Sequence, residues 1–251
     1  MKSLKLSDGR YLAYHEYGDP DGTPVIFNHG LAGSRLIRNP DDAVAASLGV
    51  HVIAADLPGV GGSSPHPGRK MVDWGKDMEE LVDALGFGTF NVAGHSAGAP
   101  HALAIPYRRP DRVGKIVLAS PVAPLDEPGM SELMINFVET IATDDPSAAA
   151  TFLSDPALRE MFEASFAAGM SQGGEGIVEM TMALWDWGFK PEDINQHVEL
   201  FYGDADDILD PQIPQHLGAR LPDCTTHVWN GAGHYGFVDR DRWTDFLTAV
   251  A

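Results

Sequence analysis

Apolar residues along this chain fall into short continuous runs separated by stretches of helical periodicity. Pro24 to Asn28, His51 to Ala55, Phe90 to Ala93, Val113 to Ser120 and Val198 to Tyr202 are such runs. They are too short for buried helices and mostly lack polar alternation, as strands buried on both faces of a parallel sheet do. Between them, Pro40 to Leu48 and Ala97 to Tyr107 read as helices. Met71, Trp74, Met78, Leu81, Val82 and Leu85 recur at helical spacing and stop before Gly86 and Gly88. Lys2 to Leu6 and Arg10 to Tyr17 flank the turn Ser7-Asp8-Gly9 and predict an antiparallel hairpin at an edge. A helix from Pro211 to Leu221, a strand from Thr225 to Trp229 and a helix from Arg240 to Val250 close the chain. The pattern predicts an α/β fold, a mostly parallel sheet doubly wound by helices.

The rhythm breaks after Pro121. As far as Lys190 there is no strand pattern, only helical segments at Ser131 to Ile141, Pro146 to Leu153, Pro156 to Met170 and Gly176 to Trp187. Helix-only sequence between two sheet strands predicts a cap, residues 123–190, inserted into a core of residues 1–122 and 191–251. Its methionines and aromatics would make a pliable apolar ceiling, with Met134, Phe137, Phe166 and Trp185 as candidates for substrate contact. Packing between cap helices is the ordinary alternative for each of them.

The chemistry concentrates at Gly94-His95-Ser96-Ala97-Gly98, where strand turns sharply into helix. Such a turn strains the backbone at its tip, and the two glycines let strand and helix approach without Cβ clashes. It should leave the Ser96 hydroxyl exposed at a helix N-terminus, where the dipole and free N–H groups favour the negative charge of a nucleophile and its oxyanion. A serine nucleophile needs a base and an acid. His234 lies in the glycine-rich loop Asn230 to Phe237 after the last strand, and Asp206 lies in Gly203-Asp204-Ala205-Asp206-Asp207 after the strand before it. Asp204, Asp207, Asp210 and the more remote Asp126 compete for the acid. His29-Gly30, at the end of the first buried strand, opens a loop that ligands of open α/β sheets favour.

The rest of the composition narrows the choice. The chain has 251 residues, 44% hydrophobic and 21% charged, with no apolar run long enough to cross a membrane and no secretory signal, which predicts a soluble, cytoplasmic protein. Its 36 acidic against 17 basic residues give a net charge of −19, which repels nucleic acid and anionic membranes. One cysteine, Cys224, leaves no internal disulfide and no cysteine-based metal site. The glycine-rich stretch Asp56 to Ser63 lacks both the Lys-Ser/Thr ending of a phosphate loop and the dinucleotide spacing, and the Asp cluster at 204–210 lacks calcium-loop spacing. Neither a cofactor nor a metal is expected.

Serine elbow, later acid and final histidine, together with His29-Gly30 and Asp56 to Ser63, resemble the α/β-hydrolase superfamily in its capped, serine-nucleophile branch. The resemblance implies that Ser96 is the nucleophile, His234 its general base and Asp206 the acid that orients the imidazole. The backbone N–H groups of Leu31 and Ala97 would form the oxyanion hole. In the family pattern His29 shapes its loop and His95 packs. The implied function is hydrolysis of a small or medium carboxylic ester or related acyl bond, with a small-molecule, ester-like substrate as the partner. A C–C bond hydrolase, a perhydrolase or an aminopeptidase of the same fold is the alternative, and outside enzymes a small-molecule receptor on this scaffold. Oligomeric state is not legible.

Overall fold

The computed structural model describes residues 1–125, 129–132, 135 and 155–251. Eight strands form one sheet: β1 (Lys2–Lys5), β2 (Tyr11–Gly18), β3 (Thr23–Asn28), β4 (Val50–Ala55), β5 (Phe90–His95), β6 (Val113–Ala119), β7 (Val198–Gly203) and β8 (Cys224–Trp229). Their spatial order is β1-β2-β4-β3-β5-β6-β7-β8. From β4 to β8 every pairing is parallel. The hairpin joins antiparallel through β2 against β4, with Tyr14 opposite Ala55, so β2 is interior and only β1 lies at that edge. The apolar runs are central: every residue of β4 and of β5 is buried.

Helices cover both faces. On one, α2 (Met71–Ala84) packs against α3 (Gly98–Arg108), and Trp74, Met78, Leu81 and Leu103 join Ile26, Ile53, Val92 and Leu118 of the sheet. On the other, α1 (Asp42–Ser47) and the C-terminal helix Arg240–Val250 bring Val44, Trp243 and Phe246 against Phe27 and Phe201. Each core residue removed from water contributes roughly 1.5–3 kcal/mol, so this two-sided packing fixes where the strand ends lie. The first turn of α3 carries Pro100, where a missing N–H is tolerated. The helix also runs through Pro106 to Arg108, near enough to its end that the lost hydrogen bond does not break it.

Between β6 and β7 the described residues contain no strand. They form α4 (Pro156–Gly169), α5 (Glu175–Ala183) and short 3₁₀ turns at Met170–Gln172 and Pro191–Asp193. Asp155 caps α4 by accepting from the N–H of Ala157, with Pro156 in the first helical position. α5 ends at Ala183, four residues before the periodicity ends at Trp187. The expected helix Pro146 to Leu153 and most of Ser131 to Ile141 lie outside the described residues. After β7 come α6 (Gln212–Arg220), β8, a 3₁₀ turn at Gly236–Val238 and α7 (Arg240–Val250).

The inserted segment docks on the loops that follow β3 and β4. A Cβ on Gly169 would lie 2.6 Å from the carbonyl oxygens of Ala32 and Gly33, and one on Gly176 would lie 2.1 Å from that of Gly59. Backbone meets backbone at both places. Gln172 adds hydrogen bonds from Nε2 to the carbonyls of Gly61 and Ser63, at 2.7 and 2.8 Å.

Candidate active site

β5 ends at His95, and Ser96 turns the chain into α3 with φ of 53°, a left-handed value that costs a non-glycine residue about 1–3 kcal/mol. Sheet and helix hold it there. The Ser96 N–H donates to Ala119 O at 2.9 Å, and its carbonyl accepts from Ala99 N–H at 3.0 Å. The flanking glycines are required by space. A Cβ on Gly94 would lie 2.9 Å from Ala102 Cβ, and one on Gly98 would lie 2.2 Å from the carbonyl oxygen of Asn28. The hydroxyl expected to be exposed belongs to a residue only 2% accessible. The reason is the loop after β3, where a Cβ on Gly30 would come within 2.9 Å of Ser96 Cβ.

That loop is held from three sides. Asn28 accepts from Trp74 Nε1–H at 2.7 Å and donates to Ala93 O at 2.9 Å, joining the end of β3 to α2 and β5. His29 donates from Nδ1 to Gly30 O at 2.9 Å and accepts at Nε2 from Leu57 N–H at 3.1 Å, so it is neutral with both ring nitrogens engaged. Burial pushes its pKa down. Asp56, fully buried at the end of β4, accepts from the N–H of Arg35, from Arg35 Nη1 at 2.5 Å and from Gly62 N–H. The stretch Asp56 to Ser63 thus works as an anchor beside the site. Ala32 carries φ of 61°. Among the described residues, neither Leu31 N–H nor Ala97 N–H donates to a protein acceptor.

His234 and Asp206 meet. Nδ1 of the imidazole lies 2.8 Å from Asp206 Oδ2, and both side chains are 2% exposed. The other carboxylate oxygen accepts from the N–H groups of Ile208 and Leu209, at 3.0 and 2.8 Å. The rival acids Asp204 and Asp210 hold backbone N–H groups. Asp204 accepts from Gly231 N–H at 2.6 Å, bracing the histidine loop, and Asp210 accepts from Gln212 N–H. Asp126 lies outside the described residues.

His95 links this pair to the elbow. Its Nε2–H donates to the carbonyl of His234 at 3.1 Å, and its ring stacks on Phe237 with centroids 4.2 Å apart and lies 4.9 Å from the His234 ring. Burial, then the nearby His234, push its pKa well below 6.5, so it packs and stays neutral. Ser96 and the His234–Asp206 pair therefore flank one buried imidazole.

The inserted segment meets the site unevenly. Phe162 packs edge-on against Tyr235 at 4.8 Å, and Ser165 bonds to Ser34. Phe166 is half-buried, whereas Trp185 is 50% exposed. Trp185 lines a cavity of ≈ 560 Å³ with Tyr107, Leu125, Trp187 and Phe189, whose described lining contains none of Ser96, Asp206 and His234. Met134 and Phe137 lie outside the described residues. No group of three or more His, Cys, Asp or Glu side chains among the described residues could hold a metal.

Two features escape a reading of the sequence. One is the buried Arg35–Asp56 pair, whose only signal is an aspartate closing an otherwise apolar run. The other is a contact between Arg69, before α2, and His101 in α3; a histidine one turn beyond Ala97 was its only trace.

Comparison with known proteins agrees with this architecture. A family model described as alpha/beta hydrolase fold matches residues 23–161. Over 127 residues the chain is 35% identical to a non-heme chloroperoxidase of Streptomyces lividans, covering 50% of this chain and 46% of that protein. Over 246 residues it is 26% identical to a 2-hydroxy-6-oxononadienedioate/2-hydroxy-6-oxononatrienedioate hydrolase of Pseudomonas putida, covering 89% and 85%. A carboxylesterase structure from Nitrososphaera gargenis superposes with a TM-score of 0.78 at 20% identity, over 99% of this chain and 98% of that one. This chain spans less than half the length of the first of these relatives.

Proposed function

The chain belongs to the α/β-hydrolase family, and on that premise we propose that it is a serine hydrolase cleaving a small or medium carboxylic ester, or a related acyl bond, through an acyl-enzyme. Ser96 is the nucleophile, His234 the general base and Asp206 the group that orients it. The buried 2.8 Å contact of His234 Nδ1 with Asp206 supports this reading most strongly. An ionised carboxylate only accepts, so it holds Nδ1 protonated and leaves Nε2 to take a proton.

In the acylation step Ser96 Oγ attacks the acyl carbonyl while Nε2 of His234 takes the hydroxyl proton. The tetrahedral oxyanion is held by the N–H groups of Leu31 and Ala97, each such donor contributing about 3–4 kcal/mol in the transition state. Collapse breaks the bond to the alcohol, which leaves with the proton from His234. Water then attacks the acyl-serine, again giving its proton to Nε2. The second intermediate releases the carboxylic acid and regenerates Ser96. Residues 123–190 act as a helical cap that shields these steps from bulk water, with Met134, Phe137, Phe166 and Trp185 as candidate substrate contacts.

The test is hydrolysis of p-nitrophenyl esters of increasing acyl length by wild type and Ser96→Ala. The mutant is expected to lose several orders of magnitude, while the chain-length optimum in wild type sizes the acyl pocket. Equal, substantial rates in both would remove Ser96 from the reaction. The similarity to the Pseudomonas putida hydrolase, over most of both chains, favours C–C bond hydrolysis by the same residues as a second reading. Turnover of a vinylogous diketone with no ester hydrolysis would select it.

A further inference from the structure

Among the described residues, no carboxylate forms a salt bridge with the buried cation Arg69. Only 6% of the residue is exposed, and among the described residues its Nε and Nη2 have no hydrogen-bond partner. Asp77, Glu179 and Asp73 act on it only through space; Asp77 holds both Nη atoms of Arg10, at 2.6 and 2.7 Å, and Asp73 accepts from Lys70 N–H. An unpaired buried charge costs several kcal/mol, and burial lowers the Arg69 pKa to about 10. One strong contact remains to explain why an arginine sits there, Nη1 to His101 Nε2 at 3.0 Å.

That contact fixes the state of His101. A guanidinium only donates, so Nε2 must accept, and a fully buried imidazole that accepts at Nε2 is neutral with its proton on Nδ1. Nδ1 lies 2.8 Å from the carbonyl oxygen of Ala97, to which it donates. Desolvation and the adjacent Arg69 both hold His101 well below 6.5. The His101 ring also meets Trp74 edge-on, with centroids 6.0 Å apart, and Trp74 holds Asn28 at the head of the loop carrying Leu31. One buried network therefore reaches the backbone behind both proposed oxyanion donors.

We propose that Arg69 is a positioning residue of the site: acting through His101, it sets the Ala97 carbonyl and so the orientation of the elbow residue whose N–H faces the oxyanion. This rests on the serine-hydrolase reading above. Arg69 touches no reacting atom. Its contribution is to choose the imidazole tautomer, because the other tautomer would turn a bare nitrogen toward the Ala97 carbonyl and repel it. Unlike simple packing, this role predicts an effect in the transition state with little effect on ground-state binding.

Nitrogen-detected NMR of the histidines in the resting wild type should find His101 neutral, protonated at Nδ1. For p-nitrophenyl butyrate, Arg69→Met should lower kcat by roughly 10–100-fold with KM within about two-fold, as expected for a small misplacement of a reacting group. Arg69→Lys, which still donates to Nε2, should recover most of the loss. His101→Asn places an amide nitrogen near the position of Nδ1 and should keep more kcat than His101→Leu. An Nε2–H tautomer in wild type would overturn the proposal, and so would an Arg69→Met enzyme with kcat within about two-fold of wild type, whatever its Tm. If Arg69→Met does not fold, equal kcat for the two His101 variants overturns it instead. Failure of the wild type to turn over any ester would overturn the hydrolase reading and with it the catalytic role of Arg69, while a wrong tautomer in the resting protein would overturn the Arg69 proposal by itself.

Discussion

His234 Nδ1 lies 2.8 Å from Asp206 Oδ2, and Asp206 receives two backbone N–H groups on its other oxygen. The carboxylate is thus locked from behind while its free edge orients the imidazole. Asp206→Asn keeps the shape but presents an amide that can donate to Nδ1 and select the wrong tautomer, so kcat should fall by about 10⁴-fold. Asp210→Asn, in a group that caps its own turn, should stay within about two-fold, at the level of surface substitutions. Steady-state kinetics of the two variants side by side decides the matter.

Gly30 is constrained by space. A Cβ there would stand 2.9 Å from Ser96 Cβ and 3.0 Å from His95 Nδ1. Gly30→Ala should therefore push the loop carrying Leu31 away from the elbow and cut kcat by roughly 10²-fold, the scale of a misplaced donor. A Tm change of only a few degrees beside that loss would locate the damage in the loop.

Gly176 in α5 meets the Gly59 carbonyl so closely that a Cβ would lie 2.1 Å away. Neither backbone can yield without moving the inserted segment off the loop after β4. Gly176→Ala should raise KM several-fold and lower Tm, with a cost of about 1–3 kcal/mol as for overpacking elsewhere. Differential scanning calorimetry and KM for the preferred ester read both effects.

Three buried histidines make stability depend on acid. Burial lowers the pKa of His29, His95 and His101, so near and below pH 6.5 the unfolded chain binds protons that the folded chain refuses. Stability is full above 6.5 and falls as the pH drops from there toward the depressed folded values, by up to ~1.4 kcal/mol per pH unit for each group. His197, raised by Asp223, has the opposite sign, but it is largely exposed and screened. Urea unfolding at pH 7 and pH 5 should show the loss, and His95→Phe should reduce its slope.

The sequence exposes what backbone chemistry dictates locally. Continuous apolar runs marked the parallel strands, and Gly94 and Gly98 marked the elbow because no other residue fits beneath Asn28 and Ala102. The roles of His29 and His95 followed the family pattern: both ring nitrogens of His29 are engaged, and burial holds His95 neutral although its Nδ1 has no partner among the described residues. Long-range choices were hidden. Nothing in Tyr11 to Gly18 tells that β2 pairs with β4, since one face of the strand suits several neighbours. Phe166 and Trp185 carry an aromatic signal, but periodicity alone does not say which of them meets substrate. The Arg69–His101 contact joins the segment before α2 to α3, beyond any local pattern.

The mechanism turns on acylation of Ser96. Its most direct test is intact-mass and peptide mapping of the protein after incubation with an alkyl fluorophosphonate, which traps an activated serine as a stable phosphonyl ester. A single adduct is expected, on the peptide containing Ser96 and absent from Ser96→Ala and His234→Ala. An unlabelled wild type, or an adduct mapped to another residue, would rule out Ser96 as the nucleophile.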